Sequence, residues 1–246
     1  MNLNLYSVIS EKYSNSSQKI RVLTENWVNK YIFCPGCGSA ITKYENNRPV
    51  ADFYCSKCYE DYELKNKKDK MGKKIIDGAY LTMIERLKSN SNPNFFFLNY
   101  DKNSFDVINF LVIPKYFFIP EIIEKRKPLS PTARRAGWVG CNILLEHIPE
   151  SGKIYYIKNR RLESKNKILE SWSKVSFLRE TKNLKSKGWL IEIIKCIDKL
   201  NKRSFTLSEM YQFEKYLKMK YPENNNIQAK IRQQLQILRD KGYLKF

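Results

Sequence analysis

The sequence predicts an α+β chain: a mixed sheet with an inserted zinc-binding site, followed by a small winged-helix segment. Three observations carry this. Strand-like apolar runs alternate with helix-patterned stretches up to about residue 180. Cys34, Cys37, Cys55 and Cys58 form two Cys-x-x-Cys pairs inside that part. Beyond a polar, Lys-rich stretch at 181–188, three helical patterns follow within about sixty residues.

Taken in order, Ile20, Leu23, Trp27 and Val28 recur at helical spacing after the capping candidates Ser14 to Ser17, so 13–31 is expected to be a helix. Strands are expected at 48–54 and 60–66, and a helix at 77–89. Phe95-Phe96-Phe97-Leu98 and Val107 to Ile113 read as buried strands, the second ended by Pro114. Residues 125–142 form a Pro-, Arg- and Gly-rich loop, 153–158 a strand and 165–178 a helix. The stretch 181–188 reads as a linker. A short apolar helix follows at 189–200. Thr206-Leu207-Ser208-Glu209 is a capping-box sequence that opens the next helix. Ile227, Ile231, Leu235 and Leu238 share one face of a helix at 226–240, and 242–246 reads as a short strand. This divides the chain into 1–182 and 183–246.

Composition narrows the function. A 246-residue chain with 42% hydrophobic residues can build real cores, which excludes wholesale disorder. No apolar run approaches the roughly 18 residues a membrane span needs. No charged head leads into an apolar stretch, so no secretion signal is read and a cytoplasmic protein is expected. The net charge of +20 and pI near 9.6 call for a polyanionic partner, since such charge repels itself in the folded state. A merely Lys-rich surface is the bland alternative. Basic residues outnumber acidic ones 14 to 6 from Lys185 onward, and they are also in excess before it, so both parts could touch one polyanion. The single histidine excludes two-His zinc proteases, and His147, after Ile143-Leu144-Leu145 and before Pro149, is not in a setting recognisable as that of a Ser-His-Asp hydrolase, so it reads as structural.

The four cysteines spell C-x2-C-x17-C-x2-C. A two-residue gap lets both thiolates of a pair reach one ion, and Pro35-Gly36 suits the tight turn. Four thiolates close a tetrahedral shell, so the expected ion is structural Zn²⁺. A redox pair would explain one Cys-x-x-Cys but not two. Cys141 and Cys196 read as buried apolar residues.

Acids thread through this site. If 48–54 and 60–66 form a hairpin across the Cys55–Cys58 turn, Glu63 and Lys65 point to one face and Asp52 sits beside them. Two carboxylates there suit Mg²⁺, with Lys65 orienting water or neutralising developing charge on a phosphate. Acidic-x-Lys tripeptides also begin at Glu163 and Glu180, but only Glu63 lies beside a second acid-bearing strand. Glu25 in the first helix could add a metal contact, but reads first as a helix-surface residue.

Several long segments now carry a resemblance: Asn46 to Cys55, Asn92 to Leu98, Pro131 to Trp138 and Lys230 to Lys241. Together they are similar to methyl-directed restriction endonucleases of the DpnI family, over essentially the whole chain. The resemblance implies a PD-(D/E)XK catalytic domain carrying a zinc site, then a winged-helix domain. It implies Mg²⁺-dependent hydrolysis of duplex DNA at GATC containing 6-methyladenine, by a bacterial cytoplasmic enzyme that is a monomer in solution. By motif, Asp52, Glu63 and Lys65 are the catalytic set, with the Leu64 carbonyl joining Asp52 and Glu63 around Mg²⁺. Cys34, Cys37, Cys55 and Cys58 are the zinc ligands. Two departures stand out. The family's first motif is usually Pro-Asp, whereas Val50-Ala51 separates Pro49 from Asp52 here. The sequence ends at Phe246 soon after the third helix, so a short or vestigial wing is expected.

Burying one methyl contributes roughly 0.8 kcal/mol, so a single slot discriminates only modestly. Two reading domains would discriminate further, and both adenine methyls of the palindrome lie in the major groove. In the first part the candidates are Arg134, Arg135 and Trp138, because Arg can bond guanine bidentately and a Trp face can pack on methyls. In the second they are Ala229, Arg232, Gln233 and Gln236, a stripe away from the apolar face. The competing class is a zinc-ribbon and winged-helix regulator that binds DNA without cutting. It has no need of two acids aimed at phosphates.

Overall fold

The computed structural model describes residues 1–7, 16–45, 51–89 and 91–245. The start of the helix expected from 13, residues 48–50 of the expected first strand, and Phe246 lie outside the described residues, as do Pro49 and Val50 of the motif comparison. Helix α1 spans Ser16–Tyr31. Strands β1 (Thr42–Lys43) and β2 (Phe53–Tyr54) are short, and β3 runs Asp61–Lys68. Next come β4 (Lys74–Ala79) and α2 (Tyr80–Lys88). Strands β5 (Asn94–Tyr100) and β6 (Val107–Ile113) form the centre, followed by β7 (Ile123–Lys125) and β8 (Gly140–Leu144). Then β9 (Ile154–Lys158), β10 (Arg161–Leu162) and α3 (Lys165–Val175) complete this part. Helices α4 (Leu184–Leu200), α5 (Leu207–Tyr211), α6 (Glu214–Lys220) and α7 (Ile227–Asp240) end the chain.

Seven strands form one mixed sheet, ordered β1-β2-β3-β5-β6-β9-β10. Only β3 and β5 pair in parallel, from Tyr62↔Asn94 to Lys68↔Tyr100. A parallel pair needs a long crossover, and β4 with α2 supplies it. Strand β5 is buried along its whole length, which is why it reads as one apolar run rather than an alternation. One face carries Tyr62, Phe96, Phe110 and Tyr156: Phe96 stacks on Tyr62 at 4.6 Å, and Trp27 of α1 packs on Phe110 at 5.7 Å. On the other face Phe95 meets Phe118 at 4.5 Å. A second sheet, ordered β4-β8-β7, stands beside the first.

The C-terminal helices pack around Trp189, Ile193, Ile231, Leu235 and Leu238, all buried. The capping box forms as the sequence predicts: Glu209 N–H donates to Thr206 Oγ1 at 3.3 Å, and Thr206 N–H to Glu209 Oε2 at 2.7 Å.

Several expectations need correction: the loop expected at 125–142 gives Lys125 to β7 and residues 140–142 to β8, and the helix expected to 178 ends at Val175. Residues 77–79 belong to β4, not to the helix expected from 77. Most of the expected linker is the first turn of α4, opened by Asn183, whose side chain accepts from Ser186 N–H at 2.9 Å. The second C-terminal helix breaks into α5 and α6 around Gln212-Phe213. Residues 242–245 form a turn and no strand.

Candidate active site, metal centre and nucleic-acid interface

The four cysteine sulfurs lie within 4.8 Å of one another, with Cys34–Cys58 at 3.9 Å and Cys37–Cys55 at 3.6 Å. Tetrahedral Zn²⁺ with Zn–S near 2.3 Å requires sulfurs about 3.8 Å apart, so the set could hold a zinc ion. The two knuckles are built alike. In each, the residue after the second cysteine donates its N–H back to the first cysteine: Gly38 to Cys34 O at 2.8 Å, and Tyr59 to Cys55 O at 2.9 Å. Both residues are left-handed, with φ of 74° and 56°. The left-handed position of the turn is therefore Gly38, not Gly36 as the sequence suggests, and the second knuckle holds the same conformation with Tyr59. Gly36 is small for another reason: a Cβ there would come within 3.2 Å of Trp172 Nε1. Tyr62 Oη stands 3.2 Å from Cys34 Sγ and ties the knuckle to β3.

The same hairpin positions the acids. The β2–β3 register pairs Phe53 with Tyr62, and Asp52 N–H donates to Tyr62 O at 2.9 Å, so Asp52 falls opposite Glu63. The Asp52 carboxylate accepts Leu64 N–H at 2.6 Å, and Leu64 joins the cluster through its backbone. Glu63 and Lys65 share one face of β3: Lys65 Nζ donates to Glu63 Oε1 at 2.5 Å. Lys65 also pairs with Asp77, contributed by β4 of the second sheet. Glu63 Oε2 is buried without a hydrogen bond, with Arg86 Nη1 in ion-pair contact at 3.8 Å.

Burial pushes the Asp52 carboxyl above its ordinary pKa, and the Leu64 N–H opposes this only in part. Burial likewise raises Glu63 against the pull of Lys65. For Lys65, burial works against the ammonium, but Glu63 and Asp77 outweigh it and hold the pKa above its usual value. The cluster thus has two carboxylates under-compensated for burial and one carboxylate oxygen without a hydrogen bond. A divalent, oxygen-preferring cation fits such a donor set.

Asp77 is the one member of this acidic cluster not expected from the sequence. Its signal was the buried Ile75 two residues earlier, a period-2 pattern too short to outweigh the helical one that follows. A bulge at Gly78 shifts the β4–β8 register just after Asp77. Glu25 is also not a surface residue: it is 3% exposed and held by Arg21 Nε at 2.6 Å and Lys43 Nζ at 2.7 Å. Cys141 and Cys196 are buried free thiols, and His147 is half-buried.

Arg134, Arg135 and Trp138 sit on the hairpin loop between β7 and β8. Leu129 and Trp138 close its base, with Leu129 N–H donating to Trp138 O at 2.9 Å. Both arginines are exposed. The Trp138 ring lies over Gly140, where a Cβ would clash at 2.8 Å, and the Arg135 guanidinium stacks on the ring at 4.7 Å. On α7, Ala229, Arg232, Gln233 and Gln236 are all exposed, opposite the buried Ile231, Leu235 and Leu238. Arg232 and Gln236 line a broad groove of about 1340 Å³ together with Lys202, Arg203 and Lys245. Those three flanking cations escaped the sequence reading, because only folding brings the two ends of this segment together. Gln233 lies outside the groove and accepts from Lys230 Nζ at 2.7 Å.

A mixed sheet with clustered acids, joined to a basic helix-turn-helix segment, is the make-up of a DNA-binding restriction endonuclease. The chain belongs to the DpnI family. It matches the Dam-replacing family over residues 1–181 and the Dam-replacing HTH domain, the winged-helix part, over residues 185–246. No helix among the described residues is long and apolar enough to cross a membrane.

Proposed function

We propose that this protein is a metal-dependent, methyl-directed restriction endonuclease that hydrolyses phosphodiester bonds of duplex DNA at GATC sites carrying 6-methyladenine. The observation that carries the reading is the buried Glu63 Oε2, left without a hydrogen bond beside Asp52, with Lys65 held on the same face. Asp52, Glu63 and the Leu64 carbonyl would hold Mg²⁺, which activates water and offsets charge on the scissile phosphate. Lys65 is held by Glu63 and Asp77, and its ammonium would orient the attacking water. The water oxygen would bond to phosphorus as it gives up a proton to solvent, the bridging P–O bond would break, and the leaving oxygen would take a proton to depart as a hydroxyl. A structural Zn²⁺ on the four cysteines would fix the hairpin that carries Asp52 and Glu63.

Division of the chain at 182–183 gives each part its own reader of the duplex, and a monomer suffices to bring both to one site. In the first part, Arg135 stacked on Trp138 forms a flat platform suited to methyl and base contact, with Arg134 beside it. In the second, Arg232 and Gln236 face a cation-lined groove, with Ala229 and Gln233 on the flank of the same helix.

The test is digestion of one plasmid, prepared with and without adenine methylation at GATC, in Mg²⁺ and in EDTA. Fragments only from methylated DNA, and only with Mg²⁺, are expected. Cutting of both preparations removes the methyl requirement. Retarded but uncut DNA replaces the nuclease with a non-cutting regulator.

A further inference from the structure

A cavity of about 370 Å³ lies between the zinc hairpin, the end of α2 and the first turn of α4. That volume falls within the range of small-molecule sites, about 300–1,000 Å³. Its polar lining includes Glu60, Asn92, Lys115, Tyr116, Arg179 and Lys187. None of Asp52, Glu63, Lys65 or Asp77 lines it.

Several of these groups are buried and unsatisfied. Asn92 is 5% exposed, and neither its amide nitrogen nor its amide oxygen has a hydrogen bond. The Tyr116 hydroxyl is buried and equally unpartnered. Lys187 is also buried, and among the described residues no carboxylate pairs with its ammonium; burial pulls its pKa down. Folded chains rarely bury donors and acceptors without partners, so a group missing from the protein itself is the natural complement. Glu60 does not fill that role. It is already held by Asn94 Nδ2 at 2.9 Å, Lys115 Nζ at 3.0 Å and Arg179 Nη2 at 2.8 Å. With Lys187 and the exposed Lys182 added, the cavity is positive.

We propose that this cavity binds a nucleotide-sized phosphate monoester. The Lys187 ammonium and Tyr116 hydroxyl take the phosphate, and the Asn92 amide meets the donor–acceptor edge of a base. A carboxamide matches adenine in this way, and lysine serves as a point charge for phosphate. The phosphate could belong to a free nucleotide or to the phosphorylated end of a DNA strand.

The test is calorimetric titration of the full zinc-loaded chain, without Mg²⁺, with deoxyadenosine monophosphate, deoxyadenosine and inorganic phosphate. The monophosphate should bind at one per chain and deoxyadenosine at least tenfold more weakly. Lys187→Met should weaken the monophosphate at least tenfold without lowering the melting temperature of the free protein, because it removes an unpaired buried charge. Tyr116→Phe, a milder change, should weaken it severalfold. Displacement by a short duplex with terminal phosphates, but not by the same duplex without them, assigns the site to strand ends. Displacement by neither assigns it to free nucleotides. The proposal is overturned if the monophosphate does not bind, if both variants bind it like the native chain, if deoxyadenosine binds equally well, or if the unphosphorylated duplex displaces it.

Discussion

Asp52 and Glu63 are buried carboxyls whose pKa values folding raises, burial being the main cause. The folded chain therefore holds their protons more tightly than the unfolded chain. Their contribution to stability is full below the ordinary carboxylate pKa and is lost as pH rises through the raised values. In metal-free protein, Asp52→Asn should thus melt at a higher temperature than the native chain near about pH 8, the difference closing toward about pH 4. Thermal melts across that range check this, and a variant that melts lower throughout contradicts it. The same substitution, or Asp52→Ala, should abolish cutting while leaving DNA binding intact or tighter, because a repulsive charge facing phosphate is removed. Asp77→Asn tests the residue that holds Lys65 from the second sheet. Binding should persist while the cutting rate falls roughly 10- to 100-fold, the usual effect of losing a group that orients a metal-site residue. An unchanged single-turnover rate would leave Asp77 a purely structural partner.

At the scale of elements, the two knuckles and β3 are one unit. The hairpin that brings Cys55 and Cys58 to Cys34 and Cys37 also brings Asp52 opposite Glu63. Cys55→Ser should therefore lower zinc content and cutting together, and added Mg²⁺ should not restore the rate; metal analysis beside a cleavage assay decides this. Elements with a strong local signature were legible in the sequence: the cysteine spacing, the unbroken apolar run of β5, and the capping box at Thr206. Others failed for definable reasons. Strand β4 has few residues and abuts a helix, so helical periodicity absorbed Asp77, Gly78 and Ala79. Lys185 to Gly188 looked like linker by composition, yet Asn183 caps them into α4, where packing buries Lys187 and Gly188. Tertiary burial overrode local polarity there. Glu25 was misjudged likewise: its helix position was plain, but its two cationic partners come from Arg21 and the distant Lys43.

For the whole molecule, the excess of positive charge in both parts makes DNA affinity depend steeply on salt. Arg232→Ala should weaken binding by about 1–3 kcal/mol and relax preference at one base pair if it reads a base edge, whereas a phosphate contact would weaken all sequences equally and reduce the salt slope by about one. Competition titrations over a set of altered sites separate these. The two parts touch through particular contacts: Asp198 of α4 accepts from Ser151 N–H at 2.9 Å, and Lys241 pairs with Glu180 at 2.5 Å. The loop of Arg134, Arg135 and Trp138 has a different status. Its flanks, β7 and β8, are pinned by the Lys125↔Cys141 pairing, and its base is closed by Leu129 and Trp138, so the residues between them contribute little to the core. Chains descended from a common ancestor can therefore vary the tip of this loop in length and wording without unsettling the scaffold. On the proposed function, such changes would shift target preference while Asp52, Glu63 and Lys65, held by β3 and its neighbours, stay as they are.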